Sequence, residues 1–234
     1  MPDTQVTTPN GSIDAVLATP STPGPWPGVV IVHDALGVTD DLRDTARRFA
    51  DAGYLAIAPD MYSRGGRARC IRSVMRDLIA GNGRSVDDIL AARDHLAGMT
   101  DDCTGQIGVA GFCMGGGFAL LVSPRGFGAS APFYPSILPR YDTLVEGACP
   151  IVASFGSRDP LNIGNGKRLA KALDRRGIPN DVKVYKGVGH SFANQMPGQP
   201  IARIVGFGYD AQATADAYER VFAFFGEHLG GAES

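Results

Sequence analysis

The sequence lacks several features that mark common classes of protein. No segment keeps about eighteen uncharged apolar residues together, so we expect no membrane-spanning helix. The first residues lack a basic flank followed by an apolar stretch, so no secretory signal is expected and the protein is expected to be cytoplasmic. The formal net charge is only −2 and charges of both signs are interspersed, which excludes a field that would capture nucleic acid or an anionic membrane.

Cysteine is also scarce. The chain has four cysteines, which are Cys70, Cys103, Cys113 and Cys149. They form no CxxC pair, and no cluster of histidine and cysteine has the spacing of zinc ligands. We therefore expect reduced thiols and no metal site. The sequence also has no internal repeat and no low-complexity tract.

The length and composition suit a globular protein. With 234 residues, of which 44% are hydrophobic and 20% are charged, the chain can bury a core and still form a cleft. We expect residues 1–234 to form a single domain, present as a monomer or a small homo-oligomer.

Apolar runs of strand type alternate with helical periods along the chain. Strands are predicted at 4–8, 13–19, 28–33, 54–59, 107–112, 128–134, 150–156 and 181–187, and helices at 40–52, 70–80, 85–96, 115–122, 165–176 and 212–229. Most of the core runs lack polar alternation, as strands covered on both faces do. This pattern predicts an α/β fold with a mostly parallel, doubly wound sheet and helices on both faces.

Residues with reactive side chains directly follow several of these strands. Cys113 follows the strand at 107–112, Asp159 follows the strand at 150–156, and His190 follows the strand at 181–187. In an open parallel sheet, ligands bind at the carboxyl ends of the strands. We therefore expect one thiol, one acid and one imidazole to share the same edge of the sheet.

The segment Gly111-Phe112-Cys113-Met114-Gly115 matches the nucleophile-elbow pattern GxSxG, with cysteine in place of serine. Small residues two before and two after the nucleophile let strand and helix approach at a tight turn, and the helix N-terminus favours a thiolate. Taken alone, the segment also fits a buried cysteine packed as a small apolar side chain, or a glycine-rich turn that cradles a phosphate. A dinucleotide turn is disfavoured because Phe112 and Cys113 stand where it needs glycine.

The order of the three candidates along the chain favours the elbow. Nucleophile, acid and histidine, here Cys113, Asp159 and His190, follow each other as in hydrolases with this elbow. In isolation, Asp159 is also explained as a turn aspartate, and His190 as a polar loop residue. His33 ends a core strand too, but it precedes the acid, so we interpret it as a supporting residue.

The sequence resembles the dienelactone hydrolase family of α/β-hydrolases over nearly its whole length. The resemblance is carried by "VVIVHDALGVTDDLRDTARRFADAGYLAIAPDMY", "GVAGFCMGGGFALL", "FGSRDP" and "GVGHSFAN". It implies a triad of Cys113, Asp159 and His190. It also implies an oxyanion hole formed by the amides of Met114 and Ala35. A family glutamate that contacts and helps activate the resting thiol corresponds to Asp34, which is one methylene shorter.

The sequence departs from the family where a substrate carboxylate is bound. The family holds this carboxylate with arginines, and one of these positions is occupied here by Asn194. Arg72 is a candidate for the other, in a segment whose arginines also fit a solvated helix face. Loss of a charged anchor removes a charge-assisted hydrogen bond, so anionic dienelactone is expected to be a poor substrate.

The resulting hypothesis is hydrolysis of a small-molecule ester or lactone through a thioester acyl-enzyme, without a metal or an organic cofactor. One alternative is a general carboxylesterase or thioesterase whose substrate has no carboxylate. Another is a ligand-binding or sensor protein that keeps the fold and uses the thiol without turnover.

Overall fold

One eight-stranded sheet runs through the protein. The computed structural model describes residues 3–136, 140–195 and 206–230. The strands are β1 (Asp3–Thr8), β2 (Gly11–Ala18), β3 (Trp26–Val32), β4 (Leu55–Pro59), β5 (Cys103–Phe112), β6 (Ala129–Phe133), β7 (Ile151–Gly156) and β8 (Asn180–Tyr185). Their order across the sheet is β1-β2-β4-β3-β5-β6-β7-β8. All eight predicted strands are confirmed.

The helices in the described residues agree with the predicted periods. They are α1 (Asp40–Asp51), α2 (Arg67–Ala80), α3 (Arg84–Gly98), α4 (Met114–Val122), α5 (Tyr141–Leu144), α6 (Asn165–Arg175) and α7 (Ala211–Leu229). Six of them were expected. The short helix α5 was not, because four residues are too few to display an apolar period. No helix in the described ranges is long and apolar enough to cross a membrane.

The topology explains where a ligand can bind. The strands from β3 to β8 pair in parallel, and β1 and β2 add an antiparallel edge. β4 lies on one side of β3 and β5 lies on the other. The chain therefore passes from β3 to β4 in one direction and then crosses back past β3 to reach β5. Such a switch point opens a crevice at the carboxyl ends of the two strands, where Val32 pairs with Gly111.

Helices cover both faces of the sheet, as predicted. One core lies between the sheet and helices α1 and α7, and another between the sheet and helices α2, α3 and α4. Every residue of β4 and of β7 is buried. Because both faces of these strands need apolar side chains, their sequences show no polar alternation.

Helix α7 packs closely against β5. Its predicted apolar stripe is buried at Tyr218, Val221, Phe225 and Leu229, whereas Phe222 is only partly buried. Gly108 of β5 lies directly beneath this stripe. A Cβ atom at Gly108 would lie 2.8 Å from the Phe225 ring and 2.9 Å from a Leu229 methyl group. Glycine therefore lets the helix approach the sheet at this position.

We predict that Gly108→Ala lowers the free energy of unfolding by about 1–3 kcal/mol, because the added methyl group overpacks the contact between α7 and β5. Chemical denaturation measures the change. Gly226→Ala within α7 is the matched control, since nothing lies within 4 Å of a Cβ atom there. It should raise stability by about 0.5–1 kcal/mol through helix propensity. Equal effects of the two substitutions would contradict the packing argument.

Candidate active site

The turn between β5 and α4 consists of one residue, Cys113. Its backbone has φ 54° and ψ −113°. A residue with a side chain rarely adopts a positive φ, and such a conformation costs about 1–3 kcal/mol unless its surroundings impose it. The strand and the helix on either side impose it here, and they turn the side chain of Cys113 toward the carboxyl edge of the sheet.

The glycines around the elbow are required by backbone contacts. A Cβ atom at Gly111 would lie 2.0 Å from the carbonyl oxygen of Gly115. A Cβ atom at Gly115 would lie 2.1 Å from the carbonyl oxygen of Val32, at the end of β3. Any side chain at either position would push the strands and helix apart. The spacing of the GxCxG motif is thus a steric requirement, as the sequence predicted.

The thiol of Cys113 is partly buried and has a hydroxyl neighbour. Its Sγ atom lies 3.3 Å from Oγ of Ser136, and the Ser136 amide donates to the Cys113 carbonyl at 2.9 Å. The sulfur also lies at the N-terminus of α4, where unpaired amides and the helix dipole favour a negative charge. Ser136 was not among the predicted residues. Its only sequence signal is its position just after β6, at the same edge of the sheet.

Asp159 and His190 form a buried pair. Nδ1 of His190 lies 2.7 Å from Oδ2 of Asp159, with side chains 1% and 0% exposed. The carboxylate also accepts hydrogen bonds from the Leu161 amide and from the side-chain amide of Asn162, both at 2.8 Å. These donors hold the Asp159 carboxylate in one orientation, and the carboxylate in turn orients the imidazole.

The backbone and ring of His190 are held on several sides. Its amide donates to the Gly206 carbonyl at 2.6 Å, and its carbonyl accepts from the Gly208 amide at 2.9 Å. The ring packs edge-on against Tyr134 and Phe207, with centroids 5.0 and 5.2 Å away. Its Nε2 atom is buried and has no partner of hydrogen-bond geometry among the described residues. One polar atom of a fixed ring is therefore left for a reacting group.

The environment of His190 favours the imidazolium. Burial alone would lower its pKa, but the hydrogen bond that the ring donates to Asp159 and the interaction with the Cys113 thiol outweigh burial and raise the pKa to about 9. The ring is thus charged at neutral pH. Since the folded-state pKa is above the usual value of 6.5, the pair stabilises the fold fully below pH 6.5 and loses this effect as the pH rises through about 9.

The two residues expected to form the oxyanion hole, Ala35 and Met114, both contact the side chain of Tyr62 on the loop after β4. The hydroxyl of Tyr62 donates to the Ala35 carbonyl at 3.3 Å and lies 3.9 Å from the Met114 sulfur. Met114 is the first residue of α4, so its amide has no acceptor within the helix. Tyr62 was not among the predicted site residues, and its sequence signal is its position shortly after β4.

His33 supports these loops, as expected. It is fully buried, and burial lowers its pKa. Its Nδ1 atom lies 2.6 Å from the Asp34 carbonyl oxygen, and the Met61 amide donates to its Nε2 atom at 3.2 Å. Because both nitrogens contact backbone, the ring fixes the loop after β3 relative to the loop after β4.

The side chain of Asp34 turns back onto its own loop. Its Oδ1 atom accepts from the Leu36 amide at 2.7 Å, and burial raises the pKa of the carboxyl group. The contact made by the Cys113 thiol is instead with Ser136. Asp34 thus shapes the loop that carries Ala35, and its expected role in thiol activation stays a prediction.

Arg72 and Asn194 lie in different surroundings. Arg72 is exposed on α2, beside a shallow hollow lined by its own helix. Asn194 is buried, accepts a hydrogen bond from the Tyr134 hydroxyl, and donates to Asp41 at 2.8 Å. The hydrogen bonds of Asn194 join α1 to the loop of His190. Substrate binding by these two residues stays a prediction.

A cavity of about 920 Å³ adjoins the elbow. We call it the side cavity. Ser136 and Leu161 connect it to the candidate site, and its walls include Met75, Leu78, Leu121 and Leu144. In the described part of the chain, no three of His, Cys, Asp or Glu lie together as a metal site.

The sheet order, the strained elbow and the carboxyl-edge crevice together define an α/β-hydrolase. The sequence profile of the dienelactone hydrolase family matches residues 13–229, so the chain belongs to that family. Its members hydrolyse ester or lactone bonds, and this chain is a hydrolase of that kind.

Individual relatives agree with this assignment. The chain is 28% identical to a carboxymethylenebutenolidase of Rhodococcus opacus, across 86% of this chain and 81% of that protein. It is 30% identical to protein usf of Aquifex pyrophilus, across 91% of this chain and 92% of that protein. The crystal structure of a dienelactone hydrolase-like promiscuous phosphotriesterase from metagenomic libraries has a TM-score of 0.81 at 24% identity, covering 98% and 99% of the two chains.

We predict that His190 titrates with a midpoint near pH 9, and that Asp159→Asn lowers this midpoint, because it removes the carboxylate that stabilises the imidazolium. Imidazole NMR signals measure the midpoint. The exposed carboxylate variant Asp101→Asn is the control and should leave it unchanged. The free energy of unfolding should also fall between pH 6.5 and 9, less steeply in His190→Gln. A midpoint unaffected by Asp159→Asn would contradict the pairing.

Proposed function

We propose that this protein hydrolyses small-molecule ester or lactone bonds with Cys113 as nucleophile, through a thioester acyl-enzyme. The observation that carries the proposal is the strained elbow, which presents a thiol at the start of α4 beside a buried Asp159–His190 pair. A structural cysteine needs neither a positive φ nor an oriented imidazole nearby. The triad, the oxyanion donors and the steps below belong to this proposal.

The first step is attack by sulfur on the ester carbonyl. An imidazolium at His190, with a pKa of about 9, supplies the positive charge beside the attacking sulfur of Cys113. Nε2 of His190 is left without a hydrogen-bond partner among the described residues, and catalytic hydrogen bonds commonly form or tighten only when substrate is bound. Ser136 contributes by holding the resting sulfur at 3.3 Å.

Hydrogen bonds from two backbone amides stabilise the oxyanion formed by this attack. The amides of Met114 and Ala35 donate to the carbonyl oxygen as it gains negative charge. The hydroxyl of Tyr62 contacts both residues and holds the loop of Ala35 against the start of α4. Donors fixed before the reaction need no reorganisation when the charge develops, which lowers the barrier.

His190 then carries the protons through the rest of the cycle. The imidazolium gives its proton to the leaving alkoxide as the carbon–oxygen bond breaks, and the thioester remains on Cys113. The neutral ring next takes a proton from water, and the resulting hydroxide attacks the thioester carbonyl. Collapse of this second intermediate releases the carboxylic acid and restores the thiolate beside the imidazolium. Asp159 stays ionised throughout and keeps the ring in orientation.

We predict that Cys113→Ala lowers kcat/KM for an activated ester by at least about a thousandfold, because no other group supplies the nucleophile. Steady-state kinetics at pH 7 measure the loss. Cys149→Ala is the matched control, because burial raises the pKa of that thiol to about 12 and it lies away from the elbow. It should keep nearly full activity. Turnover by folded Cys113→Ala protein at the rate of the unmodified protein would refute the assignment.

A further inference from the structure

Two residues that line the side cavity contact residues of the candidate site. Ser136 lines the cavity, and its hydroxyl lies 3.3 Å from the Cys113 sulfur. Leu161 also lines the cavity, and its amide donates to Asp159 at 2.8 Å. A molecule in the cavity would therefore contact Ser136 and Leu161, each of which touches a residue of the candidate site.

The walls of the cavity are mainly apolar and come from separate elements. Helix α2 contributes Met75, Leu78 and Ile79, α4 contributes Leu121, and α5 contributes Leu144. At the rim, Ile79 is 68% exposed and Leu161 is 55% exposed. Large apolar side chains grouped around a concave opening commonly mark a binding site for an apolar group.

Two arginines, Arg125 and Arg140, are the charged residues of the described lining. The Arg125 side chain donates to the Gly81 carbonyl at 2.7 Å, so part of its hydrogen-bonding capacity is used within the protein. Arg140 is exposed, which keeps it at the solvent side. No carboxylate belongs to the described lining residues. Burial of hydrocarbon, rather than ion pairing, is therefore the main source of binding free energy inside the cavity.

The size of the cavity exceeds what a small acyl group needs. At about 920 Å³ it lies near the upper end of the range for cavities that enclose drug-sized ligands. The family resemblance places a residue that binds the substrate carboxylate at the position of Asn194. The Asn194 side chain is instead hydrogen-bonded to Tyr134 and Asp41. Both observations favour a large uncharged group over a small anion.

We infer that the side cavity binds the hydrocarbon chain of a neutral ester, so that the preferred substrates carry an alkyl or acyl chain of medium length. This inference rests on the proposed function, because it takes the cleaved bond to lie at Cys113. It adds the substrate class and names the walls of the cavity as the residues that determine chain-length preference.

A chain-length series tests the inference on the unmodified protein. With p-nitrophenyl acetate, butyrate, hexanoate and octanoate below their aggregation limits, kcat/KM should rise by up to about fourfold per added methylene. Alkyl acetates of the same lengths test whether the alcohol side occupies the cavity instead. A rise in either series supports the inference. If both series are flat, or fall from the shortest member onward, the inference is wrong.

Variants of the cavity walls test where the hydrocarbon chain of the substrate binds. Leu144→Trp narrows the cavity and should lower the ratio of kcat/KM for octanoate over acetate at least about tenfold. Ile79→Trp at the exposed rim is a second variant, and it should lower the same ratio. Because Ile79 is exposed, this substitution disturbs folding less than Leu144→Trp does. The control is Ile163→Trp, an exposed apolar residue outside the lining, which should leave the ratio unchanged. Unchanged ratios in both cavity variants would overturn the inference.

Failure of this inference can be distinguished from failure of the proposed function. Activity retained by Cys113→Ala would refute the nucleophile, whatever the chain-length profile. A flat profile in an enzyme that loses activity with Cys113→Ala would refute only the chain-binding cavity. Binding of 1-octanol to folded Cys113→Ala protein, measured by calorimetry and weakened by Leu144→Trp, supports the cavity without any turnover. No measurable binding, or binding unchanged by Leu144→Trp, would count against it.

Discussion

The candidate site depends on one steric constraint, the contact between three backbones at the elbow. β5, α4 and the end of β3 approach so closely that Gly111 and Gly115 cannot carry a Cβ atom. This approach holds Cys113 at a positive φ. Because the elbow lies at the switch point of the sheet, the thiol also faces the loop that carries Ala35. A looser elbow would leave the sulfur as one more buried thiol, as Cys103 is.

Electrostatics then distinguishes this sulfur from the other thiols. Cys113 stands at the N-terminus of α4, and its sulfur interacts with the imidazole of His190. Burial of the imidazole would by itself oppose its charge, but Asp159 and the thiol more than compensate, and its pKa rises to about 9. Burial raises the pKa of Cys103 and Cys149, which have no such partner among the causes that shift them. The same chemical group is therefore inert at two positions of the chain and, in our proposal, reactive at Cys113.

Much of this arrangement could be predicted from the sequence, and the part that could not depends on tertiary packing. Buried parallel strands leave uninterrupted apolar runs, and the glycine spacing together with the order of Cys113, Asp159 and His190 favours an elbow, so the sheet and the turn at Cys113 were predictable. The contact of Ser136 with the thiol depends on the path of the chain after β6, where Tyr134 takes a φ of 36°. No local pattern encodes that path. The outward direction of Arg72 and the side cavity arise from how α2, α4 and α5 pack against each other.

The central claim is that the acyl group of the substrate passes through the sulfur at the elbow. Rapid acid quenching during turnover of an activated ester, followed by peptide mapping by mass spectrometry, locates that group directly. The account predicts one acyl mass on the peptide that contains Cys113, formed and lost at rates consistent with turnover. An acyl group found instead on Ser136 or another residue, with Cys113 unmodified during turnover, would contradict it.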